Sequence, residues 1–171
     1  MAANHLSYLD IPLLGYSIGR GANFMGKKEL FSIPVLGSLL LMLGAIPVDR
    51  GKLDRTALRE AVKMLKSGNV LVIYPEGTRS IDGRLQPGKS GVGMIVKMSK
   101  ALVIPTAIIG TDKAMPPGRF MIKPVRVTIK FGRPIDFSSM IEDKIEKVDI
   151  EKITNSIMDN ISALLDTKIL L

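Results

Sequence analysis

The chain has 171 residues, with 24 Lys and Arg against 16 Asp and Glu, one His and no Cys. The lack of Cys excludes disulfides, thiolate metal sites and a cysteine nucleophile and suggests a reducing compartment, and a single His excludes a multi-histidine metal centre. The formal charge of +8 suits a phosphate-bearing ligand or an anionic membrane surface, whereas nucleic acid is disfavoured because no Trp and only 5% aromatics leave few rings for bases to stack on.

One domain over residues 1–171 is expected at this length, and 46% hydrophobic residues suffice for a packed core. The first informative stretch is NHLSYLD, residues 4–10, which holds His5 and, five positions on, Asp10. Two readings stand side by side. An imidazole titrates near pH ~6.5 and can take a proton, with a carboxylate on its far nitrogen to orient it. Equally, Ser7-x-x-Asp10 is a helix-capping pattern, and Pro12 fits a first helical turn. The two are compatible, since a helix start would hold Asp10 near His5.

The segment Leu30 to Val48 carries no charge, and its length is close to the ~20 residues that span a bilayer. Pro34, Gly37, Gly44 and Pro47 interrupt it. The uninterrupted part, Val35 to Leu43, would form a helix only about 14 Å long. It reads as a buried or membrane-interfacial helix, not a span. GAIPVDRGK follows as a short strand entering a loop. In DRTALREAVKMLKSG, Leu58, Ala61, Val62 and Leu65 fall on one helical face, with Asp54 to cap the start and Gly68 the end. Arg55, Arg59, Lys63 and Lys66 form a neighbouring stripe, either a solvated face or a membrane-facing one.

VLVIY, residues 70–74, reads as a strand covered on both sides, followed by the loop PEGTRS. GVGMIVKMSK is a helix, LVIPTAIIG a second buried strand, and VRVTIKFG, residues 125–132, a third. From about Asp149 to Leu165 the chain is amphipathic, with Ile153, Ile157, Ile161 and Leu164 on one side. Helices alternating with short buried strands predict an α/β sandwich around a largely parallel sheet.

Ligands of such sheets bind outside the carboxyl ends of strands, where Glu76, Gly77 and Arg79 fall. Gly77 permits close backbone approach, and Arg79 offers a planar fork of donors to phosphate. Glu76 would hold that arginine or accept a substrate hydroxyl; the plainer alternative is a turn with a surface ion pair. Arg50 follows another apolar run, with Asp49 as a local partner, and Lys27 and Lys28 add positive charge. No Gly-x-Ser-x-Gly elbow, Walker A loop or Gly-x-Gly-x-x-Gly fingerprint occurs, which disfavours a covalent serine enzyme and a nucleotide hydrolase.

Four motifs occur in order: NHLSYLD at 4–10, GAIPVDR at 44–50, YPEGTRS at 74–80 and VIPTAI at 103–108. Together they resemble the glycerolipid acyltransferase family, specifically the 1-acylglycerol-3-phosphate acyltransferases. His5 and Asp10 match its His-x-x-x-x-Asp motif, and Glu76, Gly77, Thr78 and Arg79 match its Glu-Gly-Thr-Arg motif. The resemblance implies transfer of an acyl chain from acyl-CoA or acyl carrier protein to the sn-2 hydroxyl of lysophosphatidate, giving phosphatidate. It implies no cofactor beyond that thioester.

It further implies that His5 deprotonates the hydroxyl, that Asp10 orients His5, and that attack is direct, without an acyl-enzyme. Arg50, Arg79 and Glu76 would hold the glycerol phosphate, beside Gly77 and Thr78 in the same loop. Pro105 would shape the acyl-donor side, and Lys27 or a backbone amide would serve the oxyanion. The implied fold is the family's α/β sandwich. Only Met1 to Ala3 precede the first motif, so the chain is expected to be truncated at its amino end, with the first strand and the N-terminal membrane helices missing. The expected location is the cytoplasmic face of a membrane, peripherally or through such an anchor. Glycerol 3-phosphate or another lysolipid as acceptor, and a non-catalytic phospholipid-surface binder of the same fold, are the alternatives.

Overall fold

The computed structural model describes residues 1–42, 44–49, 54–116, 121–140 and 147–167. Its strands are β1 (Ala2–Ala3), β2 (Ala22–Lys27), β3 (Ile46–Val48), β4 (Val70–Val72), β5 (Pro105–Ile109) and β6 (Thr128–Phe131). Its α-helices are α1 (Asp10–Ile18), α2 (Leu36–Met42), α3 (Arg55–Lys66), α4 (Ser90–Ser99), α5 (Thr111–Ala114) and α6 (Lys147–Asp166). Two three-stranded groups run in the orders β3-β2-β4 and β1-β5-β6. All pairings are parallel except β5 with β6. Ala2 bridges to Ile73 in parallel, and the Ala3 N–H donates to the Ile73 carbonyl at 3.0 Å. The two groups are therefore joined edge to edge through β1 into one mixed, largely parallel sheet.

That junction corrects one expectation. A strand does lead into the first motif, and it lies at the centre of the sheet. Ala2 and Ala3 are 1% and 0% exposed, and they pair with Pro105 and Thr106 on one side and Ile73 on the other. Because successive residues of a strand point to opposite faces, Ala2 packs with Val92, Val96, Ile153 and Ile157 of α4 and α6. Ala3 packs with Leu14 of α1, Val72 and Ile108. Beside β4, Leu71 meets Leu58, Ala61 and Val62 of α3. The sheet thus has α1 on one face and α3, α4 and α6 on the other.

Helix α3 starts where Asp54 caps it, its carboxylate accepting from the N–H groups of Thr56 and Ala57 at 3.1 and 3.0 Å. The Asp49 N–H also donates to this carboxylate. The Ala57 and Asp49 hydrogen bonds hold it below the usual carboxylate range. Arg55, Arg59, Lys63 and Lys66 are all exposed. Helix α6 buries Ile153, Ile157 and Ile161 as its periodicity predicts. Strand β6 covers only 128–131 of the residues predicted there. Strand β2 (ANFMGK) was not anticipated, since Gly, Asn and Lys blur its pattern.

The uncharged segment leaves several apolar side chains exposed, unlike a core helix. Ile33, Val35, Leu41 and Met42 are exposed, Val35 at 82% and Met42 at 77%. Gly37 packs so close to the Phe31 carbonyl oxygen that a Cβ there would lie only 2.1 Å away. Among the described residues, no helix is long and apolar enough to cross a membrane.

Candidate active site

The segment after β1 leaves the sheet at its carboxyl edge and must satisfy its polar groups without a ladder. Asn4 does this with its side chain. Its Nδ2 donates to the Ile108 carbonyl at 2.9 Å and its Oδ1 accepts from the Ile108 N–H at 2.7 Å. The amide thus extends the pairing with β5 by one step while the backbone turns away. At His5 the backbone is held by the loop after β4. The His5 N–H donates to Glu76 Oε1 at 2.7 Å, and its carbonyl accepts from the Ser80 N–H at 2.8 Å.

The imidazole of His5 is 5% exposed and Asp10 is fully buried. His5 Nδ1 lies 2.7 Å from Asp10 Oδ2. The same oxygen accepts from the N–H groups of Leu6 and Ser7 at 2.7 and 2.8 Å, while Oδ1 accepts from the Thr111 hydroxyl at 2.6 Å. Each of these neighbours donates to this carboxylate, so in the neutral ring Nδ1 carries the hydrogen and Nε2 has the lone pair. The carboxylate–imidazole reading of NHLSYLD holds, while the capping reading holds only in part, because Leu9 is the N-cap of α1 and no side chain caps it. Asp10 opens α1 and reaches back to the Ser7 N–H like the acidic member of a capping box. The Ser7 hydroxyl instead donates to the Met115 carbonyl.

The His5 ring stacks on Tyr74, with centroids 4.0 Å apart and planes inclined by 16°. This fixes the plane of the imidazole from a second direction. The Tyr74 hydroxyl is buried without a hydrogen-bond partner among the described residues. Burial, with the nearby Asp10 charge adding to it, pushes its pKa well above the ordinary tyrosine value.

The Glu-Gly-Thr-Arg loop gives its residues different surroundings. Glu76 is 2% exposed. Its Oε1 takes the His5 N–H, and its Oε2 takes the Gln86 N–H at 2.8 Å. Burial raises its pKa, against the lowering effect of the Gln86 and His5 hydrogen bonds. Both oxygens are thus engaged with backbone, and among the described residues Glu76 makes no ion pair or hydrogen bond with Arg79, contrary to the expectation that it would hold that arginine. Gly77 turns the chain at φ +71°, a conformation that favours glycine, and a Cβ there would meet the Lys89 side chain at 3.0 Å. Thr78 is exposed.

The Arg79 guanidinium carbon sits 3.7 Å from the ring centre of Tyr8. Thr78, Arg79, Ser80, Asp82 and Gln86 line an open hollow beside it. Lys27 ends β2 at the same edge of the sheet, but it is exposed and paired with Glu29 at 3.2 Å. Pro105 is buried in β5 against Ala2. Arg50 lies outside the described residues.

His5, Asp10, Glu76 and Arg79 therefore converge, as the motifs imply. Sequence reasoning missed Tyr8, Tyr74, Lys89, Gln86 and Thr111. Tyr8 and Tyr74 lie inside the quoted motifs, so attention to aromatic positions beside His5 and Glu76 would have found them; Thr111, 101 residues from Asp10, left no local signal. Among the described residues no group of acidic or imidazole side chains could hold a metal ion.

A family model described as Acyltransferase matches residues 1–109. The chain is 38% identical over 118 residues to the chloroplastic 1-acyl-sn-glycerol-3-phosphate acyltransferase BAT2 of Brassica napus, covering 68% of this chain and 34% of that protein. It is 33% identical over 147 residues to a 1-acyl-sn-glycerol-3-phosphate acyltransferase of Limnanthes douglasii (84% and 52%). It is 32% identical over 136 residues to that of Bacillus subtilis (79% and 65%). The chain thus spans between a third and two thirds of these relatives' length. The crystal structure of the 1-acyl-sn-glycerophosphate acyltransferase PlsC from Thermotoga maritima matches 98% of this chain and 66% of that one, with a TM-score of 0.75 and 30% identity.

Proposed function

Because this chain belongs to the Acyltransferase family, we propose that it transfers a fatty acyl group from a thioester to the sn-2 hydroxyl of lysophosphatidate, with His5 as general base. The single observation that carries this reading is the His5 Nδ1–Asp10 Oδ2 contact of 2.7 Å inside a carboxylate cage of donors, which leaves Nε2 as the proton acceptor. The names of the relatives support the acceptor.

The acceptor hydroxyl gives its proton to His5 Nε2 as its oxygen attacks the thioester carbonyl. The tetrahedral adduct then expels the thiolate, which recovers that proton from the imidazolium. The Asp10 carboxylate stabilises the imidazolium, as does the face of Tyr74. No residue is acylated, in keeping with the absence of Cys. Arg79 binds the acceptor phosphate with Lys89 adding positive charge at the same loop, while Arg50 and Lys27 are further candidates and Thr78 is exposed beside them. Glu76 acts as a positioning residue, tying His5 to the loop that carries Arg79. Gly77 supplies the turn. The donor is acyl-CoA or acyl carrier protein, and no cofactor is needed.

The site works at an anionic membrane surface on the cytoplasmic side. The exposed apolar side chains around α2 and the basic face of α3 support that contact. The test is release of free thiol from an acyl thioester, dependent on lysophosphatidate, with phosphatidate as the product. Thiol release without any acceptor, or equal rates with and without phosphate on the acceptor, would reject it. If glycerol 3-phosphate alone served, the alternative acceptor would hold.

A further inference from the structure

Arg79 is held in an unusual way for a buried-edge cation. Among the described residues it makes no ion pair and no hydrogen bond, and its contact is the face of Tyr8, with the guanidinium carbon 3.7 Å from the ring centre. A guanidinium bound through its flat face keeps its five N–H groups free, because they lie in its plane and point outward. A carboxylate partner would have occupied two of them and would have to be displaced by an incoming phosphate. An aromatic partner holds the side chain still and leaves the fork open.

Tyr8 is also placed to transmit distance. It sits three residues after His5 and two before Asp10, in a segment whose backbone is pinned on both sides. The Leu6 and Ser7 N–H groups end on Asp10, and the His5 N–H ends on Glu76. The ring is half-exposed, at 49%, so core packing does not explain it. Arg79 therefore takes its place relative to His5 from this ring as well as from its own loop.

We propose that Tyr8 is a positioning residue whose ring fixes the Arg79 guanidinium at a set distance from His5, so selecting acceptors whose hydroxyl lies on the carbon next to the one that bears the phosphate ester. The inference rests on the reading of Arg79 as the phosphate anchor. A hydroxyl one carbon farther from the phosphate would meet His5 out of line once the anchor is fixed, and reaction depends steeply on such alignment.

The test is a double-substitution cycle in the purified protein, with the acceptor and donor Michaelis constants read separately and the thermal midpoint of each variant recorded. Tyr8→Leu is expected to raise the acceptor constant by about 2- to 30-fold, the range of a cation–π contact from exposed to desolvated. The donor constant stays as it was. Tyr8→Phe, which keeps the ring, is expected to restore wild-type behaviour. In an Arg79→Ala background Tyr8→Leu should add no further loss, and Tyr8→Leu alone should narrow the preference for the sn-2 over the sn-1 hydroxyl. If Arg79→Ala raises the acceptor constant but Tyr8→Leu does not, or if the two losses simply add, the role of Tyr8 is overturned and the phosphate anchor stands. If Arg79→Ala leaves the acceptor constant unchanged, the anchor itself is wrong and the inference falls with it.

Discussion

Two segments leave the carboxyl edge of the sheet, and both invert the usual rule of polar outside and apolar inside. In residues 4–10 the polar side chains are the buried ones: Asn4, Ser7 and Asp10 are 2%, 1% and 0% exposed. Around α2 several apolar side chains are exposed, Val35, Leu41 and Met42 among them. The first inversion is compatible with stability because each donor has an acceptor; Asp10 alone takes four. The second has no internal compensation, and Val35 is held at φ +68°, where a β-branched residue is strained. A buried polar cluster organised around one ring nitrogen is what a base needs. An exposed apolar patch beside basic residues is what a lipid surface needs. The comparison predicts that the two segments respond to substitution in opposite ways.

The largest effect is expected at His5. His5→Ala should lower the rate of acyl transfer by about 10²- to 10⁴-fold while the fold persists, because its backbone bonds to Glu76 and Ser80 remain. Retention of more than roughly a tenth of the rate would remove the general base from the mechanism. Thr111→Val probes the same cage from its far side, leaving Asp10 Oδ1 buried without a donor. It should cost about 1–3 kcal/mol of stability, seen as a lowered denaturation midpoint. No change there would mean that the cage is not what holds the segment.

The α2 region should show the reverse pattern. Val35→Asn relieves the left-handed strain and should raise stability by up to about 1 kcal/mol. Combined with Met42→Gln it should weaken binding to vesicles containing anionic lipid by roughly tenfold. Vesicle binding that ignores both substitutions would take the apolar face out of membrane contact and leave the stripe on α3 as its source.

The smallest effect concerns Glu76. Its native pKa is raised by burial, so the folded state binds its proton more tightly than the unfolded chain does. The resulting stability is present below the ordinary value of 4.5 and is lost as pH rises through the raised native value. Glu76→Gln cannot ionise, so the stability of the wild type relative to this variant should fall across that window. A difference that grows with pH instead would mean that the two backbone N–H bonds outweigh burial.

The elements with strong local periodicity were legible. The α3 face of Leu58, Ala61 and Val62, its Asp54 cap and the Ile153–Ile157–Ile161 stripe of α6 follow from side-chain spacing alone. His5, Asp10 and the Glu-Gly-Thr-Arg loop were legible through their motifs. Strand β1 was not, since two alanines carry no strand signal and form one only because neighbours on both sides demand it. The engagement of Glu76 with backbone was hidden for a related reason. A carboxylate in a loop reads as a ligand until the N–H groups of residues 71 and 10 positions away are seen to converge on it. Thr111 and Tyr8 likewise owe their roles to partners far away in sequence.

The central place of Ala2 and Ala3 has a consequence in time. Their partners are Ile73 and residues 104–106. At a synthesis rate of about 5–20 residues per second, roughly 5–20 s separate the emergence of Ala3 from that of Thr106. For that interval the segment bearing His5 leaves a sheet that lacks β5 and β6, and Asp10 has no Thr111 to meet. The middle of this sheet is made before the strands that flank it and is closed late. A nascent chain carrying the whole first motif therefore lacks the full set of donors around Asp10 until Thr111 has been made.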